Sequence, residues 1–296
     1  MYLQIIVLAL IWGVNWVFMK AGMAYFPPIL FSALRFLSAG AVLLIISRWR
    51  GVTAPTGDEW RPILFTGLVQ IAFTNAVLQN ALLVIDAGLA SVLFYTMPLW
   101  LSILAHFLLP DDRLSPLKIS ALLLGVVGLT ILLKLNPDTL LQLWQRPGTL
   151  SELLVLVASV AWALCNIVMK RVSGRINALR FTTYQMITGG LLLLAYSALT
   201  EPFQLPPALA YQGWATVAFS GIVASALAFL MWFRLLRAIP ASTAGISLLL
   251  VPVVGVFSGV LLLGETVDLA MITGMALILI SIGLVNVSGR RGRGAV

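Results

Sequence analysis

The side chains of this sequence that could grip a polar molecule lie inside long apolar runs. Trp12, Asn15, Trp16 and Met19 follow one another at helical spacing, and Trp162, Asn166 and Met169 repeat the arrangement about 150 positions later. Residues three and four apart share a helix face, so each group presents an aromatic ring and an amide together. Asn75 and Gln79 stack in the same way, and Ser91, Tyr95, Pro98 and Ser102 form another stripe with Trp100 beside it. Trp232 lies in a further apolar run. Aromatic faces hold a planar ring or an ammonium group, and amides add donors and acceptors. Such a set suits an aromatic-lined pocket; ordinary helix packing, with Trp at lipid interfaces, is the competing reading.

Arg35 stands about two turns inside an apolar stretch, and the residue 150 positions on is Gln185. A guanidinium there would attract a carboxylate at an outer vestibule. A structural arginine that snorkels or meets backbone carbonyls is the alternative. Pro98 and Pro252 sit near the middle of their runs. Each removes one helical hydrogen bond and frees the carbonyl four residues earlier, at Phe94 and Leu248. Such carbonyls bind a cationic group or let a helix flex during gating; a static kink weighs equally.

The ten acidic residues all fall in loops or at the ends of apolar runs. Ion-coupled carriers commonly use an intramembrane carboxylate, so strong ion coupling and a strongly cationic substrate are both disfavoured. A solute of little net charge fits better. Cys165 is the single cysteine and His106 the single histidine. There is no HExxH, no pair of buried acids and no Ser-His or Cys-His pair at helical spacing, so an enzyme is not expected. No metal or cofactor is expected either.

The elements that must position these groups follow from composition. The 296 residues are 61% hydrophobic and 9% charged, against about 25% charged in a soluble domain. The bilayer must be the solvent. A crossing needs about 20 apolar residues, and ten such runs are present: 3–19, 28–47, 62–84, 87–109, 115–134, 151–170, 180–199, 210–236, 240–263 and 268–287. With the N-terminus cytoplasmic, fourteen basic residues fall on the cytoplasmic side and three (Lys20, Lys134 and Arg146) opposite. The positive-inside rule then places both termini in the cytoplasm. The net charge of +8 is thereby explained by topology, and nucleic acid is not an expected partner.

Sliding the chain on itself by 150 aligns Trp12 with Trp162, Met19-Lys20 with Met169-Lys170, and Gly40 with Gly190. Beyond the second loop the offset becomes 154, aligning Gly67 with Gly221, Pro98 with Pro252, and Asp111 with Glu265. Five crossings per copy is an odd number, so the second copy must be inverted. The expected organisation is an all-α membrane protein: a first repeat over 1–135, a linker over 136–150, a second repeat over 151–288, and a basic cytoplasmic tail over 289–296. Inverted repeats are typical of secondary transporters with a midplane site. The small-residue pairs Gly255/Gly259, Ala121/Gly125 and Ala270/Gly274 suit close packing within a monomeric bundle, and leave a homodimer open.

Trp12-Gly13-x-Asn15 with Lys20, the matching Trp162 with Lys170, and the paired prolines Pro98 and Pro252 resemble EamA-type members of the drug/metabolite transporter superfamily. The resemblance spans nearly the whole chain. In the second copy Ala163 replaces the glycine and Cys165 the asparagine, with Asn166 one step on. The overall pattern is most similar to bacterial exporters of aromatic and other neutral amino acids. It implies an inner-membrane exporter working by alternating access, with lipids and a small solute as partners. The candidate site read from the spans comprises Trp12, Asn15, Asn75, Gln79, Tyr95, Trp100, Trp162, Asn166 and Trp232, with Pro98, Pro252, Arg35 and Gln185 as candidate gating residues. Export of another metabolite or a drug, or a structural or receptor-like role, are the alternatives.

Overall fold

A computed structural model describes residues 2–110, 116–132, 148–203, 205, 210–248, 250–264 and 266–291. The aligned pair Asp111 and Glu265, Lys134, Arg146 and most of the expected linker lie outside the described residues, as does the end of the basic tail. Every regular element among the described residues is helical. The segments are α1 Tyr2–Gly22, α2 Pro28–Trp49, α3 Gly57–Ala81 and α4 Ala87–Leu108, and α5 Pro116–Leu132. They continue with α6 Thr149–Val172, α7 Ala178–Thr200, α8 Tyr211–Ala238, α9 as two pieces, Ala241–Ser247 and Leu250–Leu263, and α10 Leu269–Arg291. Six of these, in α1, α2, α3, α4, α6 and α8, are long and apolar enough to cross a membrane. The chain is therefore an all-helical, multi-pass membrane protein.

Local chemistry fixes the helix starts. Pro28 opens α2 where its missing N–H is not needed. The next two amides donate to the Glu201 carboxylate, Ile29 N–H at 2.7 Å and Leu30 N–H at 2.8 Å. An acid from the end of α7 thus closes the positive end of α2. At the start of α7, the Asn177 side chain accepts from Leu179 and Arg180 N–H.

The two mid-run prolines mark breaks rather than bends. In α4 the helix stops at Phe94 and restarts at Met97, so Pro98 occupies the first turn of the new piece. The Leu93 carbonyl accepts from the N–H and the hydroxyl of Thr96. In α9 the Leu248 carbonyl, expected to be open, accepts from Val251 N–H at 3.0 Å. A helix that stops and restarts satisfies groups that a kinked helix leaves bare.

A second irregularity has no signal in the hydropathy pattern. Both α3 and α8 widen into π-helical turns, over Gly67–Phe73 and Phe219–Leu227. A widened turn displaces backbone donors from some carbonyls, and side chains fill them. The Thr74 hydroxyl donates to Val69 O, Asn75 Nδ2 to Gln70 O and Ile71 O, and the Ser225 hydroxyl to Ser220 O.

α2 packs on α7, α5 on α10, α1 on the second piece of α9, and the second piece of α4 on α6. Between α5 and α10 a Cβ on Gly128 would lie 2.9 Å from the Gly274 carbonyl oxygen, so the two backbones touch. The Ser281 hydroxyl adds a bond to Ala121 O. Ala121, Gly125 and Gly274 therefore serve packing inside the chain. In lipid, where apolar burial gives no drive between helices, such contact carries the association.

Candidate functional site

α1, α2, α3, α4, α6 and α8 converge on a buried cavity of about 40 Å³. α1 contributes Trp12, Asn15, Trp16 and Met19; α2 contributes Arg35; α3 contributes Asn75 and Leu78. Phe94 and Tyr95 come from the break in α4, Trp162 from α6, and Phe229 from α8. Tyr95 stands at the break itself, as the residue after the first piece of α4 ends. A space of this size holds a few water molecules at most, far less than the roughly 300 Å³ at the lower end of small-molecule sites. The conformation described is closed around its centre.

The walls are an aromatic network. Trp12 meets Trp162, Phe229 and Trp232 edge-on, with centroids 6.3, 5.6 and 5.8 Å apart. Trp162 continues to Phe94 at 5.3 Å and to Phe229 at 5.4 Å, and Trp16 reaches Phe94 and Tyr95. Edge-to-face contacts of this kind fix ring orientation.

Polar groups interrupt that wall at a few points. Trp12 Nε1 donates to Ala224 O, 2.9 Å away in the widened turn of α8. Its repeat counterpart behaves differently: Trp162 Nε1 is buried without a hydrogen-bond partner, and so is Asn15 Oδ1. One donor and one acceptor therefore lie unsatisfied beside the cavity. Such groups cost about 1–3 kcal/mol each when left so, which points to a ligand or water that would complete them.

Among the described residues Arg35 is the only cation on this cavity, and it is 4% exposed. Its Nε donates to Ser225 Oγ at 2.7 Å and to Ser220 O at 3.3 Å, both in the widened turn of α8. One terminal nitrogen has only Met19 Sδ at 3.3 Å and Asn75 Oδ1 at 3.5 Å. The guanidinium also lies 4.6 Å from the Phe36 ring centre. No carboxylate among the described residues pairs with it. Arg35 thus shares the central cavity with Trp12 and Asn75 instead of occupying a separate outer vestibule. Its counterpart Gln185 does not reach the cavity; Gln185 Nε2 donates to Gln70 Oε1 at 2.6 Å, in the widened turn of α3. Each of α2 and α7 therefore sends one polar side chain into the π-turn of the opposite half.

The remaining sequence candidates fall into two groups. Gln79, Asn166 and Trp232 lie just behind the wall. Gln79 Nε2 donates to Met19 O at 3.2 Å, and Trp232 Nε1 donates to Asn166 Oδ1 at 2.9 Å. Trp100, Pro98 and Pro252 do not line the cavity; Trp100 Nε1 donates to Thr96 Oγ1 at 3.2 Å. Phe229, Phe94 and Leu78 line it without having been singled out for their side chains. Phe229 could have been found, since it lies three residues before Trp232 and shares its face.

Comparison with known proteins agrees with this architecture. Residues 1–134 and 149–287 match the EamA-like transporter family. A Bacillus subtilis protein named uncharacterized transporter YoaV is 31% identical over 281 residues, covering 93% of each chain. An Escherichia coli protein named uncharacterized inner membrane transporter YedA is 26% identical over 294 residues, covering 94% of this chain and 88% of its own. A crystal structure with 21% sequence identity superposes with a TM-score of 0.73 over 98% of both chains, and so has the same fold.

Proposed function

This chain belongs to the EamA-like transporter family, and from that premise we propose that it exports aromatic and other neutral amino acids by alternating access through the aromatic cavity. The family and the named relatives are transporters rather than enzymes. The observation that carries the substrate class is the pairing of Arg35, which has no carboxylate partner among the described residues, with the unsatisfied Asn15 Oδ1 inside an aromatic box. A carboxylate suits the guanidinium and Trp162 Nε1. An ammonium suits Asn15 Oδ1 and the ring faces. A planar or apolar side chain suits the rest.

The arrangement proposed is ten crossings, with repeats over 1–135 and 151–288 inserted in opposite senses and both termini cytoplasmic. Two pairs of contacts support the repeat. Lys20 pairs with Asp86 at the α3–α4 hairpin, and Lys170 donates to Leu236 O and Ile239 O at the α8–α9 hairpin. In a Cys165→Ala background, Lys20→Cys is expected to react with an impermeant maleimide added to intact cells, and Lys170→Cys only after the membrane is opened. Equal reactivity of the two positions would remove the inverted repeat.

The substrate class is tested by counterflow in proteoliposomes. Preloaded phenylalanine, tryptophan or leucine should drive uptake of the labelled amino acid. Lysine, glutamate, a polyamine and a sugar phosphate should exchange at least roughly tenfold more slowly, the factor set by one uncompensated hydrogen bond to a charged group. Fastest exchange of a polyamine or a sugar phosphate would overturn the reading.

A further inference from the structure

Several basic side chains at the helix ends are held by protein acceptors. Arg180 forms a two-oxygen pair with Glu59, both bonds at 2.9 Å. Arg171 donates to Leu108 O, and Lys170 to the carbonyls at the end of α8. Arg50, Arg234 and Arg237 are exposed, and their side chains, like those of Arg48 and Arg175, have no hydrogen bond or ion pair among the described residues; these three are set apart by standing together. They surround one concavity of about 500 Å³, with Val52 and Asn177 on its rim.

The place of this concavity in the fold matters. Arg50 caps the end of α2, Arg234 and Arg237 lie in the last turns of α8, and Asn177 precedes α7. Apolar segments end here, and the end of a membrane-spanning segment is where headgroups meet a protein. Guanidinium groups match phosphate oxygens in shape and charge, and basic pockets between membrane helices hold anionic headgroups. A free phosphate would gain the same charge but would leave the apolar rim at Val52, Leu179 and Ala238 uncovered. We propose that Arg50, Arg234 and Arg237 form a binding site for the phosphate headgroup of an anionic phospholipid, bridging the two halves of the chain.

The test uses the full chain purified in detergent, titrated with phosphatidylglycerol and read by native mass spectrometry. Each arginine near a charged surface contributes roughly fivefold in affinity. Phosphatidylglycerol retention should therefore fall on the order of a hundredfold in R50Q/R234Q/R237Q. The control variant R48Q/R61Q/R175Q removes the same number of charges from neighbouring helix ends outside the concavity, and should retain the lipid like the unaltered chain. The single variant R234Q, expected to lose roughly fivefold, keeps the test decisive if the triple variant folds poorly. Equal loss in both triple variants would reduce the effect to general surface charge and overturn the site. Displacement of the lipid by millimolar inorganic phosphate, or retention equal to that of phosphatidylcholine, would overturn it as well.

Discussion

Arg35→Gln is expected to lower counterflow of a neutral amino acid roughly ten- to a hundredfold, the equivalent of one hydrogen bond to a charged group, without lowering the thermal stability of the purified protein. The two parts follow from different edges of one guanidinium. Nε is the anchored edge, bonded to Ser225 Oγ and Ser220 O. The terminal edge has only a weak thioether acceptor, Met19 Sδ, and a long contact to Asn75 Oδ1 at 3.5 Å. A cation held in a low-dielectric cavity without a counter-ion is a cost to the fold. Removing it should leave the melting temperature unchanged or raise it, whereas a purely structural arginine would take stability with it.

The sharper readout is discrimination. An amino acid and the amine left when its carboxylate is removed differ only in the group assigned to Arg35. The unaltered chain should prefer the amino acid by roughly the same ten- to a hundredfold, and R35Q should lose that preference. Arg35→Lys, which keeps the charge but not the planar fork, should fall between the two. An unchanged preference in R35Q would show that the carboxylate sits elsewhere.

How much of this was legible from residues alone depended on whether composition or geometry decided the point. The helical membrane class follows from apolar content, because no other solvent suits such a surface. The candidates Trp12, Asn15, Asn75, Tyr95, Trp162 and Arg35, which stand around one cavity, were visible because polar and aromatic side chains are rare in apolar runs. What escaped was backbone geometry. At Tyr95-Thr96 and before Leu250 the sequence leaves an open carbonyl, a flexing helix and a static kink equally in play, since proline signals a lost hydrogen bond but not how the chain recovers it. The π-turns left no trace in hydropathy, although they supply the carbonyls that Trp12 and Arg35 use. Glu201 reads in the sequence as one of ten acids in loops or at helix ends, and its role at the start of α2 depends on a contact 172 positions away.

The π-turn of α8 gives the second large expectation, at Gly221. A Cβ there would collide with Ser38 Oγ and lie 2.8 Å from the carbonyl oxygen of Arg35. The aligned residue Gly67 is less confined, with Thr188 Cβ at 3.0 Å and Gln185 O at 3.3 Å. Gly221→Ala should therefore destabilise the protein by about 1–3 kcal/mol, the usual cost of overpacking, and Gly67→Ala by less. Ser38 can swing away, but the Arg35 carbonyl belongs to the backbone of α2 and can only move with the helix. A second change, Ser38→Gly, should consequently restore only part of the loss. The same shift of α2 would carry the Arg35 side chain off Ser220 O and Ser225 Oγ, so transport should fall further than stability alone accounts for, at temperatures well below melting. Full recovery of both properties in G221A/S38G would mean that side-chain crowding, and not the close approach of α2 to the widened turn, sets the position of the guanidinium.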